Sequence, residues 1–192
     1  MTRKILTAVL MLVVMTVLTG IIYPLATTGL ARVLFPYQAG GSLAYRDGRP
    51  VGSSLIGQNF TGPGYFHGRP SAAGPDGYDA AASSGSNLGP TNAKLVAAIA
   101  RRLETVRAEN GLPAGTPVPA DLVTASASGL DPDISPAAAY LQVPRVARAR
   151  NLPEEQVRAL VTKNITGRQF GLLGEPRVNV LQLNLELDKM GR

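Results

Sequence analysis

"ILTAVLMLVVMTVLTGIIY", residues 5–23, is a run of nineteen residues without a charged side chain. As an α-helix it would reach about 28 Å, close to the thickness of a bilayer's hydrocarbon core. A cleaved secretory leader is the competing reading. Its apolar region normally runs about 7–15 residues, and a small-residue cleavage pattern can be read at Gly29, Leu30 and Ala31. The greater length favours a retained anchor, which decides the architecture. We expect an α+β protein: one N-terminal transmembrane helix, then a single soluble mixed domain. The anchor and its extension would occupy residues 1–36 and the soluble domain residues 37–192.

Flanking charge orients the anchor. Arg3 and Lys4 precede the apolar run, and Arg32 is the one basic residue close behind it. Positive charge stays on the cytoplasmic side. A single pass would then leave the N-terminus in the cytoplasm and the domain outside the cell's inner membrane. Thr16 and Gly20 are four residues apart, on one helix face with Thr19 nearby. Small residues so placed let another membrane helix approach, which makes Thr16 and Gly20 candidate partner contacts.

The chain has 192 residues, enough for one domain with a real core, and carries a formal charge of +6. That charge invites a nucleic-acid reading, but the arginines are scattered. The densest run, "RVARAR" at residues 145–150, covers only a helix turn or two, aromatics make up 5%, and no nucleic-acid motif is present. We therefore expect no nucleic-acid partner. Cysteine is absent, which removes disulfides, thiolate zinc sites, a cysteine nucleophile and a lipoprotein's acylated cysteine. His67 is the sole histidine, so a histidine-rich metal site is excluded too.

Beyond the anchor, Pro24 and Pro36 bracket "LATTGLARVLF", which should continue the helix. "GSLAYRDGRPVGSSLIGQNF" reads as a hairpin around Asp47-Gly48, with Leu43 and Tyr45 before the turn and the run from Val51 to Ile56 after it. A Gly/Pro-rich stretch over residues 61–90 follows, with Tyr65, Phe66 and Tyr78 placed to tether it to the core. "TNAKLVAAIARRLETVRAENG" has apolar residues at Leu95, Val96, Ile99, Leu103 and Val106, the helical period; Thr91 or Asn92 starts it and Asn110-Gly111 stops it. "VPADLVTASASGLDPDI" reads as a short helix running into a turn. "SPAAAYLQVPRVARARN" predicts a helix capped by Ser135 with Pro136 at its first position, kinked or split at Pro144. "PEEQVRALVTKNI" predicts another, with acids in its first turn. In "RVNVLQLNLELDK" the leucines at 181, 183, 185 and 187 alternate with polar residues. That is a strand pattern, with a helix capped by Asn179 as the alternative.

A serine hydrolase would need His67 as its base, and no G-x-S-x-G elbow exists. No Gly-Lys-Ser/Thr follows a glycine-rich turn, so there is no phosphate loop. Asp131, Asp133 and Ser135 resemble the opening of a calcium loop, but its sixth and twelfth places hold Pro136 and Gln142 instead of Gly and Glu. "GRQFGLLGEPRVN" has paired glycines without the preceding strand of a dinucleotide site. We assign no catalytic residue, no metal ligand and no cofactor of the chain's own. "SSGSNLGPTN", residues 83–92, reads as shape: Gly89 and Pro90 set a turn, and Ser86, Asn87 and Asn92 satisfy backbone groups. Those three are further candidate partner contacts.

The blocks "GSSLIGQNF", "YFHGRPSAA", "SSGSNLGPTN", "VPADLVTASASGLDPDISPAAA", "QVPRVARARNLPEEQV" and "LGEPRVNVLQLNLELDK" occur in this order after one membrane helix. Together they closely resemble the C subunit of the bacterial Kdp potassium-transporting ATPase, over nearly the whole chain. In similar chains the position of Asp133 often carries another polar residue and that of Pro153 a Ser cap. The resemblance implies a non-catalytic accessory subunit of a high-affinity potassium uptake complex. It implies three partners: a channel-like subunit that carries the ion, a P-type ATPase subunit and a small single-helix subunit. ATP and potassium would be handled by the complex. It also implies a role in assembly and as a catalytic chaperone that raises the ATP affinity of the ATPase subunit, with the region of Gln142 as the candidate nucleotide contact. Topology opposes a direct contact. A domain outside the cell cannot meet cytoplasmic ATP, so its effect would have to be transmitted as coupling through the membrane subunits. Two rivals remain at this level: a membrane-anchored extracytoplasmic hydrolase using His67, and a tethered binding module for wall sugars or peptide.

Overall fold

The computed structural model describes residues 1–190. The chain divides into two compact units, Met1–Val51 and the residues from Gly52 onward.

In the first unit, α1 (Thr2–Val17), one π-helical turn (Leu18–Ile22) and α2 (Tyr23–Leu34) follow without a break. They form a 33-residue helix, Thr2–Leu34, long and apolar enough to cross a membrane. The wide turn sits where Pro24 needs it. Proline has no N–H, and its ring crowds the carbonyl four residues back, here on Gly20. Three threonines along this helix pair their hydroxyls internally: Thr7, Thr19 and Thr27 donate to the carbonyls of Arg3, Met15 and Tyr23 at 2.9, 2.6 and 2.9 Å. Internal pairing of that kind is what an apolar solvent requires. A one-turn helix α3 (Pro36–Ala39) follows, then β1 (Leu43–Arg46) and β2 (Arg49–Ser53) pair as a two-stranded sheet. Asp47 and Gly48 have φ of 50° and 76°, the two positive angles of the turn that matches strand twist. The second strand ends at Ser53 rather than Ile56, because the Ile56 N–H folds back onto the Ser53 carbonyl at 3.3 Å.

The second unit holds α4 (Ala93–Asn110), a 3-10 turn (Ala120–Leu122), β3 (Asp133–Ile134), α5 (Pro136–Arg150), α6 (Glu154–Lys163), β4 (Ile165–Thr166), β5 (Arg177–Asn179) and α7 (Val180–Met190). The local signals work as read. Asn92 caps α4 by accepting from the Lys94 N–H at 2.9 Å, and Gly111 ends it at φ 63°. Ser135 caps α5 by accepting from the Ala138 N–H at 3.1 Å. The β5 strand is central, antiparallel to both neighbours, so Val178 faces Ile134 across one ladder and Ile165 across the other. Val143, Val146, Val157, Val161, Leu183 and Leu187 lie fully buried around it.

Of the kink or split expected at Pro144 and the strand expected for the leucine run, the split and the full-length strand do not form. α5 is not split at Pro144 but runs as one helix of 15 residues. Val143, Arg145, Val146 and Ala147 beside the proline are all buried, and that packing outweighs the one backbone bond proline removes. The leucine-rich C-terminal element is a strand only over Arg177–Asn179 and then a helix. Its start is the alternative reading: the Asn179 side chain accepts from the Gln182 N–H at 3.0 Å. The buried positions are Val180, Leu181, Leu183, Asn184 and Leu187, a helical stripe with an asparagine inside it. Asn184 counts as polar in any alternation, and so it disguised the period.

Candidate functional site: a polar clamp beneath a cleft

Helical geometry puts Ala138, Gln142 and Arg145 on one face of α5, and Val180, Asn184 and Leu187 on one face of α7. Between them passes the irregular segment from Gly62 to His67, which no strand accompanies among the described residues. Its backbone groups must still be satisfied, because Phe66 has no exposed surface. Two side-chain amides take the place of a neighbouring strand. Asn184 accepts from the Phe66 N–H and donates to the Phe66 carbonyl, both at 2.9 Å. Gln142 accepts from the His67 N–H at 2.8 Å and donates to the His67 carbonyl at 3.1 Å.

Arg145 locks this arrangement. Its guanidinium donates to the Gln142 amide oxygen at 2.7 Å, to the carbonyls of Pro63 and Tyr65 at 2.6 and 3.0 Å, and to the Asn110 side-chain oxygen at 3.0 Å. It therefore joins the loop to α5 and to the end of α4. Arg150 repeats the device one turn on. It donates to the Gly64 carbonyl at 2.6 Å and to Asp188 at 2.7 Å, and lies 4.6 Å over the Tyr65 ring. Burial draws the Arg145 pKa downward, with Glu109 opposing; a guanidinium nevertheless stays charged.

Above the clamp lies a cleft of about 420 Å³ walled by His67, Arg69, Tyr78, Arg102 and Glu109, with Gln142 at its base. Arg69 pairs with Asp131 at 3.0 Å. The Tyr78 hydroxyl donates to the Arg69 carbonyl at 2.5 Å, and its pKa is pushed up to about 12 by burial and, next, by Asp131. Ser71, also in the wall, donates to the Gly129 carbonyl at 2.6 Å. His67 donates from Nε2 to the Gly62 carbonyl at 3.1 Å and turns Nδ1 to Glu109 at 3.5 Å. No serine hydroxyl is among its hydrogen-bond partners within the described residues.

Burial, then the charge of Arg145, lowers the His67 pKa below its ordinary 6.5, while the Gly62 carbonyl and Glu109 pull the other way. The unfolded chain therefore takes up this proton more readily than the folded one. Stability from neutral His67 is present above the unfolded pKa and is lost as pH falls from about 6.5 toward the lowered folded value. Thermal midpoints of the full chain in detergent should decline through that window. The His67→Gln variant should show a shallower decline; parallel curves would refute the assignment.

Gln142, the candidate nucleotide contact, is 1% exposed, and its amide is occupied on both sides, the remaining donor bond going to the Ala138 carbonyl at 3.3 Å. Asn92 serves as the α4 cap, whereas Ser86 and Asn87 are exposed, Asn87 at φ 52°. None of these three lines the cleft. Their loop is pinned at its start, where the Ser84 N–H meets the Ser128 carbonyl at 2.9 Å. Thr16 and Gly20 share a face of the apolar helix, the threonine methyl lying 4.0 Å from where a Cβ on Gly20 would stand. Sequence reasoning missed Arg145 and Asn184. For Arg145 a signal existed, because it falls in phase with Ala138 and Gln142 and next to Val146 on the buried side of α5.

Comparison with known proteins bears on what this arrangement belongs to. The family model described as KdpC, K+-transporting ATPase, c chain, matches residues 5–189. The chain is 62% identical to the potassium-transporting ATPase KdpC subunit of Gemmatimonas aurantiaca, over 95% of this chain and 91% of that one. It is 58% identical to the protein of the same name from Methylobacterium nodulans, over 93% and 92%. It is also 58% identical to that of Mycobacterium tuberculosis H37Rv, over 99% and 100%. With an apolar N-terminal helix, an α+β domain and a match spanning almost every residue, this chain belongs to the KdpC family, the c chain of K+-transporting ATPases.

Proposed function

We propose that the chain is a non-catalytic accessory subunit of an ATP-driven potassium uptake complex, held by one pass in the inner membrane with its domain outside. Its partners in this reading are the channel-like subunit that carries the ion, the P-type ATPase subunit and the small single-helix subunit. It stabilises their assembly and, as a catalytic chaperone, raises the ATP affinity of the ATPase subunit by coupling through the membrane. The observation that carries the reading is the way the domain uses its polar residues. Gln142, Arg145, Arg150 and Asn184 are all bonded to the chain's own loop, which suits a part that acts through a rigid shape. Gln142 then influences ATP use by holding that loop in place.

Tagged purification from potassium-starved membranes in mild detergent, with mass spectrometry, tests this. We expect the three partners to be recovered with the N-terminal helix uncleaved, and the KM for ATP to rise when the complex is prepared without this chain. A chain recovered alone and freely soluble would overturn the proposal. A KM that stays unchanged would remove the chaperone role.

A further inference from the structure

Between β4 and β5 the chain makes an excursion, "GRQFGLLGE" at residues 167–175, that contributes nothing to the core. Beyond the hairpin that ends at Ser53, the exposed large apolar residues are Leu55, Val96, Phe170, Leu172 and Leu173 among the described residues. Leu55 and Val96 stand singly, as exposed apolar residues ordinarily do. The other three crowd one tip, 92%, 79% and 61% exposed in chain order.

The tip is built rather than loose. Gln169 and Leu173 exchange both backbone hydrogen bonds at 2.9 Å. At its base the Arg168 guanidinium donates to both oxygens of Glu175, at 2.8 and 2.7 Å. Phe170 is held at φ 54° and Gly171 at 74°. A positive φ suits glycine, but for a bulky aromatic it is an outlier that stores strain, and such strain clusters at binding sites. The phenylalanine bears it while giving its ring almost entirely to solvent, which no property of the isolated fold requires.

We propose that this tip is a docking knob whose Phe170, Leu172 and Leu173 enter an apolar pocket on another protein subunit of the complex. The proposal rests on the subunit reading above. Charge selects protein over lipid. Surface segments that bind anionic lipid carry unpaired Lys or Arg beside their apolar residues. Here Arg168 is neutralised by Glu175, and Arg177, next along the chain, by Asp133 at 3.0 Å. A neutral, rigid, aromatic-tipped projection has the character of an interface anchor, since little ordering entropy remains to be lost on binding.

The test uses the full chain in its native complex. The triple variant Phe170→Ser, Leu172→Ser, Leu173→Ser should lower recovery of partner subunits by about tenfold. The Val96→Ser control should not, and the thermal midpoint of the triple variant chain should stay at the wild-type value. In parallel, a benzoylphenylalanine at position 170 should crosslink to a fellow subunit, which mass spectrometry identifies. Wild-type recovery by the triple variant, or a crosslinker that joins only lipid or nothing, would overturn the knob. If the unaltered chain itself brings down no partners, it is the subunit reading that falls.

Discussion

Replacing Arg145 with alanine should cost the domain about 3–5 kcal/mol, the largest loss expected from any single surface-to-core polar change in this chain. The residue is 7% exposed, and removal of its side chain strands acceptors on Pro63, Tyr65, Gln142 and Asn110. Each stranded group costs about 1–3 kcal/mol if it stays dry, and partial rehydration keeps the total below the simple sum. Lysine should not restore it, because a compact ammonium cannot reproduce a planar fork that reaches three structural elements at once. Denaturant unfolding of the full chain in detergent measures the loss. A second readout separates clamp from mere packing. Arg145 helps hold the His67 pKa down, so in Arg145→Met it should rise. The single histidine of this chain makes that imidazole resonance unambiguous by proton NMR. Wild-type stability with an unmoved His67 would end the clamp account.

Asn184→Leu is the second large effect, and its sign runs against the hydrophobic pattern. The substitution adds an apolar side chain of similar size to a face already lined by Leu183 and Leu187, which area bookkeeping would reward. We expect a loss of about 2–5 kcal/mol instead, because the N–H and carbonyl of the fully buried Phe66 would both lose their partners. Hydrogen exchange should show the Phe66 amide among the protected sites in the wild-type chain and much faster in the variant. Stabilisation by leucine would mean that the loop relaxes to find water, and that Asn184 is dispensable.

Legibility in the sequence followed the range of each signal. Asn92, Gly111, Ser135 and the Asp47-Gly48 turn act on backbone groups within a few residues, and all are legible in the chain, Asn92 with Thr91 as its alternative. The tethering of the Gly/Pro-rich stretch by Tyr65, Phe66 and Tyr78 was also legible, because large aromatic residues in such a stretch have few other uses. The charge run at residues 145–150 was legible only as basic residues within a helix turn or two, and burial decided which of them turn inward. Arg145 and Arg150 turn inward to carbonyls, while Arg148 faces out.

The sequence by itself determined the membrane-spanning length of the first helix, the caps and turns, the absence of thiol chemistry and the family. All of these rest on local spacing, composition or order along the chain. Only the tertiary structure decided that the C-terminal leucines form a helix, that Pro144 does not split α5, and that Gln142 and Arg145 support a loop. The reason is distance along the chain. Asn184 finds its partner 118 residues away and Gln142 finds His67 75 residues away. A buried polar side chain is stable only with its partner in place, and nothing in its own neighbourhood of the sequence names that partner.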